Sequence, residues 1–202
     1  GIVNCRWFER VCVKDIGAQE PARGKDGAGQ EALAEALAAV LGTSQTLREL
    51  CLDGVKLGPK ALQLMADALA ANRSLPLELL ELRRVPLGAE AVSALVPALP
   101  ALRSLTLVHC GMTQSVVVRL LGALHGCAVL SQALQALDLS FNAVGPEGTN
   151  ALAAWLTECL PTNLRALGVA GTNVTWPVLL AALEQRELRV ESLDVSGNAL
   201  FD

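Results

Sequence analysis

The sequence predicts an α/β solenoid, with parallel strands along a concave face and helices along a convex one. Three observations lead there. A leucine pattern recurs along all 202 residues at uneven intervals. Between its copies run segments with apolar residues at i, i+3, i+4 and i+7, the spacing of one helix face. The composition is aliphatic, 52% hydrophobic with three Phe, three Trp and no Tyr, which suits a core built of stacked leucines.

The recurring pattern is L-x-x-L-x-L-x-x-N/C-x-L followed by a helix, the template of a leucine-rich repeat. Its clearest copy is LQALDLSFNAV, from Leu134 to Val144. Copies start near residues 8, 47, 77, 102, 134, 164 and 190, at spacings of 39, 30, 25, 32, 30 and 26. Most of these spacings match the long, full-helix repeats of the ribonuclease-inhibitor type, so a horseshoe is expected.

The elements follow in order. The first copy, FERVCVKDIGA from Phe8, is degenerate. Residues 17–29 (GAQEPARGKDGAG) are rich in glycine and charge and are expected to form a flexible insertion. Helices are expected at 30–41, 59–71, 89–99, 115–124, 146–160 and 177–184. In the second of these, Leu62, Met65, Ala66 and Leu69 share one face, and Pro59 sits in the first turn, where proline is tolerated. In the fifth, Trp155 and Leu156 join the apolar face and are read as core.

A strand alternates its side chains. Positions 4 and 6 of each copy therefore point into the core, and positions 3, 5 and 7 point onto the concave face. Position 9 carries Ile16, Val55, Val85, Cys110, Asn142, Thr172 and Asn198. Asn or Cys there satisfies loop backbone groups, so the first three loops are expected to be less regular. One domain spans 1–202. It opens at a strand-like segment and closes without a final helix, whereas stacked repeats need polar caps. A fragment of a longer protein is therefore expected.

Charge and cysteine content exclude several function classes. The net charge of −4 and pI near 5.3 argue against nucleic acid, which selects basic surfaces. No stretch reaches the roughly 18–20 apolar residues of a membrane span, and no secretory signal opens the chain. The six cysteines, Cys5, Cys12, Cys51, Cys110, Cys127 and Cys159, include no C-x2-C pair, so no zinc site or other metal is expected. They are read as reduced thiols of a cytoplasmic protein. The sequons at Asn72 and Asn173 would matter only after secretion.

Catalytic chemistry finds little support. Gly24-Lys25 lacks the glycine and the Ser or Thr of a phosphate loop, since Gln19 and Asp26 stand there. His109 and His125 have no nucleophile motif beside them. No catalytic residue and no cofactor is expected. Cys12 and Cys51 both occupy position 5 and should be neighbours. The best candidate for binding is the charged part of the concave face: Arg10, Lys14, Glu49, Asp53, Glu81 and Arg83, with Arg84 beside them. Mixed charge there would steer and select a protein partner. The later copies carry small residues: Ser104, Ala136, Ser140, Ala166, Gly168, Ala170, Ser192 and Ser196.

One further likeness involves the whole chain. The opening NCRWFERVCVKDI (4–16) resembles the first repeat of the CARMIL family, a Trp-Phe pair before a strand ending in Lys-Asp. LDLSFN (137–142), Asn150-Ala151-Leu152 before Trp155-Leu156, AGTN (170–173), VLLAAL (178–183) and LDVSGN (193–198) follow that family's order and spacing. The resemblance implies a cytosolic scaffold that regulates actin capping protein, with myosin-I and the branching actin nucleator as partners. In that family a PH-like membrane-binding domain precedes the repeats. A dimerisation region and a capping-protein-binding tail follow them. None of these lies in this sequence, so no family binding residue carries over. The insertion at 17–29 departs from the family pattern. The repeat also allows a sensing domain of an innate immune receptor, or a Ran-GAP-like GTPase activator.

Overall fold

The computed structural model describes residues 8–14, 26–99, 101–184 and 188–199, with the side chains of 26–28 left out. Seven strands form one parallel sheet in chain order: β1 (Arg10–Lys14), β2 (Glu49–Asp53), β3 (Leu79–Arg83), β4 (Ser104–Val108), β5 (Ala136–Asp138), β6 (Ala166–Gly168) and β7 (Ser192–Asp194). The helices are α1 (Asp26–Thr43), α2 (Pro59–Ala71), α3 (Ala89–Leu95), α4 (Gln114–Gly126), α5 (Ala128–Ala133), α6 (Gly145–Ala154) and α7 (Trp176–Leu183). Each strand pairs only with those one repeat before and after, as a solenoid requires.

The register runs in step. Val11, Leu50, Leu80, Leu105, Leu137, Leu167 and Leu193 form one column across all seven strands. Leu50 through Leu167 in that column are buried, and Leu52, Leu82 and Leu107 two residues on are buried as well. These leucines share one core cluster with Leu62, Met65 and Leu69 of α2, Leu120 and Leu124 of α4, and Leu179 of α7. Each buried leucine contributes roughly 1.5–3 kcal/mol of apolar burial.

The connections differ from expectation in several places. Residues 17–25 of the insertion lie outside the described residues, and 26–29 form the first turn of α1. Helix α3 stops at Leu95 and a 3₁₀ turn, Val96–Ala98, follows. Pro97 has no N–H to donate one helical turn back, so the α pattern ends there. The 32-residue spacing after Leu102 holds an extra helix, α5. Cys127, in a non-helical conformation, separates it from α4. Helix α6 ends at Ala154 and passes into a π turn, Trp155–Cys159, closed by Leu160 at φ 44°. Gln132 of α5 donates to the carbonyls of Cys159 (2.8 Å) and Leu160 (3.0 Å) and so caps that turn.

The residue after each outward strand face, position 8, reverses the chain. Gly54, Arg84, His109, Phe141, Gly171 and Gly197 all have φ between 53° and 72°. The turns after β2 and β3 follow this path even though Val55 and Val85 stand at position 9. Both valines are buried, and the N–H groups of Gly54 and Arg84 donate to the next repeat's Arg83 and Val108 carbonyls at 2.8 and 2.9 Å. The expected irregularity of these loops is therefore not seen. The first loop lies outside the described residues.

Where asparagine does stand at position 9, it acts as a staple. Asn142 Oδ1 accepts from the N–H groups of Cys110 (3.0 Å) and Met112 (3.2 Å). Its Nδ2 donates to the carbonyls of Leu107 (2.7 Å) and Leu139 (2.9 Å). Asn198 repeats the arrangement on Thr172, Val174, Val169 and Val195. On the helix side, Asn72 Nδ2 donates to the carbonyls of Leu41 (2.8 Å) and Ser44 (2.7 Å), so the first sequon's amide is already engaged. Trp155 is fully buried. Its Nε1 donates to Ser131 Oγ (2.9 Å), and Ser131 donates to the Leu124 carbonyl (2.6 Å).

Asn142→Ala would leave at least two buried N–H groups and two carbonyls without this partner. Urea unfolding should show a loss of about 2–4 kcal/mol. A change below about 1 kcal/mol would mean that the staple does not hold the turn.

Candidate functional site

The outward face of the sheet has three rows, set by register. Position 3 carries Arg10, Glu49, Leu79, Ser104, Ala136, Ala166 and Ser192. Position 5 carries Cys12, Cys51, Glu81, Thr106, Asp138, Gly168 and Asp194. Position 7 begins Lys14, Asp53, Arg83 and Val108. The candidate residues from the first three strands are thus brought together, and Arg84 stands one residue beyond β3.

These charges face one another more than they face outward. Arg10 Nε lies 3.1 Å from Glu49 Oε2. Arg83 pairs with Glu81 on its own strand. Arg84 Nη2 is 2.7 Å from Asp53 Oδ1, an ion pair in contact rather than an aligned hydrogen bond. Among the described residues Lys14 has no ion-pair partner. Exposed pairs of this kind stabilise a fold by only about 0–1 kcal/mol, so their main effect is on what the face can bind. Arg10, Lys14, Asp53, Glu81 and Arg83 line a hollow of about 210 Å³ together with Cys12 and Cys51. The side-chain hydrogen bond that Arg83 donates to Glu81 holds the Arg83 proton more firmly than usual.

Cys51 is only 5% exposed although it points outward. Burial first, and then the neighbouring Cys12 sulfur, pushes its thiol up to about 11. Cys110, at position 9 of the fourth copy, is also raised to about 11 by burial. Its sulfur donates to the Leu82 carbonyl at 3.2 Å, the role expected for cysteine in that place.

The later half of the face is lower, and Asp138 and Phe141 join the small residues expected there. Asp138 Oδ1 accepts from the Ser140 N–H at 3.0 Å, and Ser140 Oγ accepts from the Ala170 N–H at 3.1 Å. A Cβ on Gly168 would collide with the Asp138 carboxylate, so the small residue there has a packing reason. Phe141 is 56% exposed, and its ring lies against Gly171, where an added Cβ would come within 2.9 Å of it. Strict alternation from Ala136 points to Asp138. An aromatic residue at a polar turn position is the signal for Phe141. His109 is exposed at the matching position one repeat earlier. His125 lies elsewhere, 3.6 Å from Glu158.

Residues 131–153, which cover β5, the Asn142 turn and most of α6, match a family model described as Leucine Rich repeat. A leucine-rich repeat is present there. The seven-stranded parallel sheet fits a solenoid of that type, and such a repeat suggests a protein-interaction domain. No curated protein sequence matches the chain. Among the described residues no helix is long and apolar enough to cross a membrane, and no group of three or more His, Cys, Asp and Glu is placed to hold a metal ion.

The two raised thiols make stability depend on alkaline pH. In the unfolded chain a thiol ionises near 9.0, while Cys51 and Cys110 keep their protons to about 11 in the fold. The unfolded state then binds fewer protons, so stability is full below about pH 9 and falls as pH rises towards 11. Urea unfolding should show a loss of roughly 2 kcal/mol or more between about pH 8 and pH 10.5. Cys110→Ala should flatten that slope, and an unchanged slope in the variant would contradict the assignment.

Proposed function

We propose that the chain is a protein-binding scaffold segment without catalytic activity, from a CARMIL-like regulator of actin filament capping and assembly. The order and uneven spacing of its repeats carry this reading. The opening Trp7-Phe8, the LDLSFN turn, Trp155-Leu156 and the closing LDVSGN succeed one another as in that family. The extra helix α5 and the short α3 give that uneven spacing a physical basis in this chain. On this reading the sheet lines the concave side of a horseshoe. The face holding Arg10, Lys14, Glu49, Asp53, Glu81, Arg83 and Arg84 then meets a protein partner. The full-length protein would be cytoplasmic, at the cytoskeleton or plasma membrane, and no cofactor is needed.

The mixed, self-paired charge of that face favours a partner that offers both signs. Such a partner exchanges intramolecular ion pairs for intermolecular ones, which sets specificity more than affinity. The test is a titration of the labelled chain with a purified myosin-I tail and with the branching actin nucleator. At least one should bind, and a variant with Glu49→Lys, Asp53→Lys and Glu81→Lys should bind it about tenfold more weakly or worse. Failure of both to bind, or equal binding by the variant, would overturn the reading.

A further inference from the structure

Cys12 and Cys51 are register partners on adjacent parallel strands. Neighbouring strands lie about 4.8 Å apart, and disulfides bridge Cα atoms roughly 4.4–6.8 Å apart. Both side chains occupy position 5 and line one hollow. Both cysteines are free thiols, Cys12 exposed and Cys51 buried. The Arg10 side chain lines the same hollow, and the two cysteines hold its proton more firmly.

We propose that Cys12 and Cys51 are a peroxide-oxidisable pair that closes into a reversible cross-strand disulfide, tying the first repeat to the second. The Cys12 thiolate attacks one oxygen of hydrogen peroxide. The O–O bond breaks, the sulfur becomes a sulfenic acid, and the departing hydroxide takes a proton to leave as water. The Cys51 sulfur then attacks the Cys12 sulfur and expels the sulfenic hydroxide, which takes the Cys51 proton and leaves as a second water. Two thiols and one peroxide thus give one disulfide and two waters, with two electrons passing from sulfur to oxygen. The order follows from access. Cys12 is open to solvent, whereas Cys51 is covered and held protonated. Part of what holds that proton is the Cys12 sulfur itself, and that sulfur is the atom the first step oxidises. The pair is a property of β1 and β2 alone and stands whichever protein the face binds.

The experiment treats the reduced chain of 202 residues with dilute hydrogen peroxide, alkylates the remaining thiols and maps the peptides by mass spectrometry. The expected product is a monomer two hydrogens lighter, with the peptides holding Cys12 and Cys51 joined and released by dithiothreitol. Cys12→Ser, an exposed change that leaves the core untouched, should abolish that link. Cys51→Ala should leave the first step without its second, so dimedone labelling at Cys12 should rise at least about tenfold over the native chain. The wild-type map alone decides the matter if the second variant does not fold. Three results would overturn the proposal: Cys12 as a sulfinic acid with Cys51 still free, Cys12 joined to Cys5, or Cys12 joined to a second chain.

Discussion

Everything in this molecule rests on strands that stay in register from one repeat to the next. A parallel pair bonds only to its two neighbours, and each step carries the same leucine positions into the same column. Leu50, Leu80, Leu105, Leu137 and Leu167 bury together because the register is constant. A slip by one residue would turn those leucines outward and bring Glu49, Glu81 and Asp138 into the core. The reversal at position 8 keeps the register. It sets the chain in the left-handed region after β2 to β7, so these turns leave in the same direction. Glycine takes that conformation readily. Arg84, His109 and Phe141 take it at a cost, and their side chains project at the rim of the outward face.

The same register decides what that face is like. Strands β1 to β3 bring charges of both signs within reach of each other, and most of them pair. Strands β4 to β6 present Ser104, Ala136, Ala166 and Gly168, with Asp138 folded over its neighbour's glycine. One half is therefore a set of ion pairs around a hollow, and the other is a low floor edged by an exposed aromatic ring. Large aromatic side chains at such an edge supply contact area with few rotatable bonds, and aromatic anchors recur among binding hot spots.

Much of the fold was legible because leucine spacing is a direct record of burial. The seven strands fall on positions 3 to 7, or 3 to 5, of the seven copies. Cys12 and Cys51 could be named as neighbours from position numbers alone. Helix details were harder. The segment around Cys127 to Ala133 has no strong period, so α5 could be inferred only from the long spacing. The π turn after Ala154 reads in sequence as a continued helix, because Trp155 and Leu156 keep the apolar face. The ion pairs were invisible for a different reason. Whether Arg84 reaches Asp53, or Arg83 turns back on Glu81, depends on rotamers and not on periodicity. Asp138 sits on the expected row at position 5, but its contact with Gly168 depends on its rotamer, and Phe141 stands at a turn position that the strand period assigns to no face.

The central claim is that stability is passed between neighbouring repeats, with Asn142 joining the fourth and fifth. Native-state hydrogen exchange on the Asn142→Ala variant tests it most directly. Protection should fall at Cys110, Met112 and the adjoining amides of β4 and β5, while Leu50, Leu52 and Leu80 keep theirs, since coupling runs from neighbour to neighbour. A uniform loss across all strands, or no loss at the turn, would contradict the account.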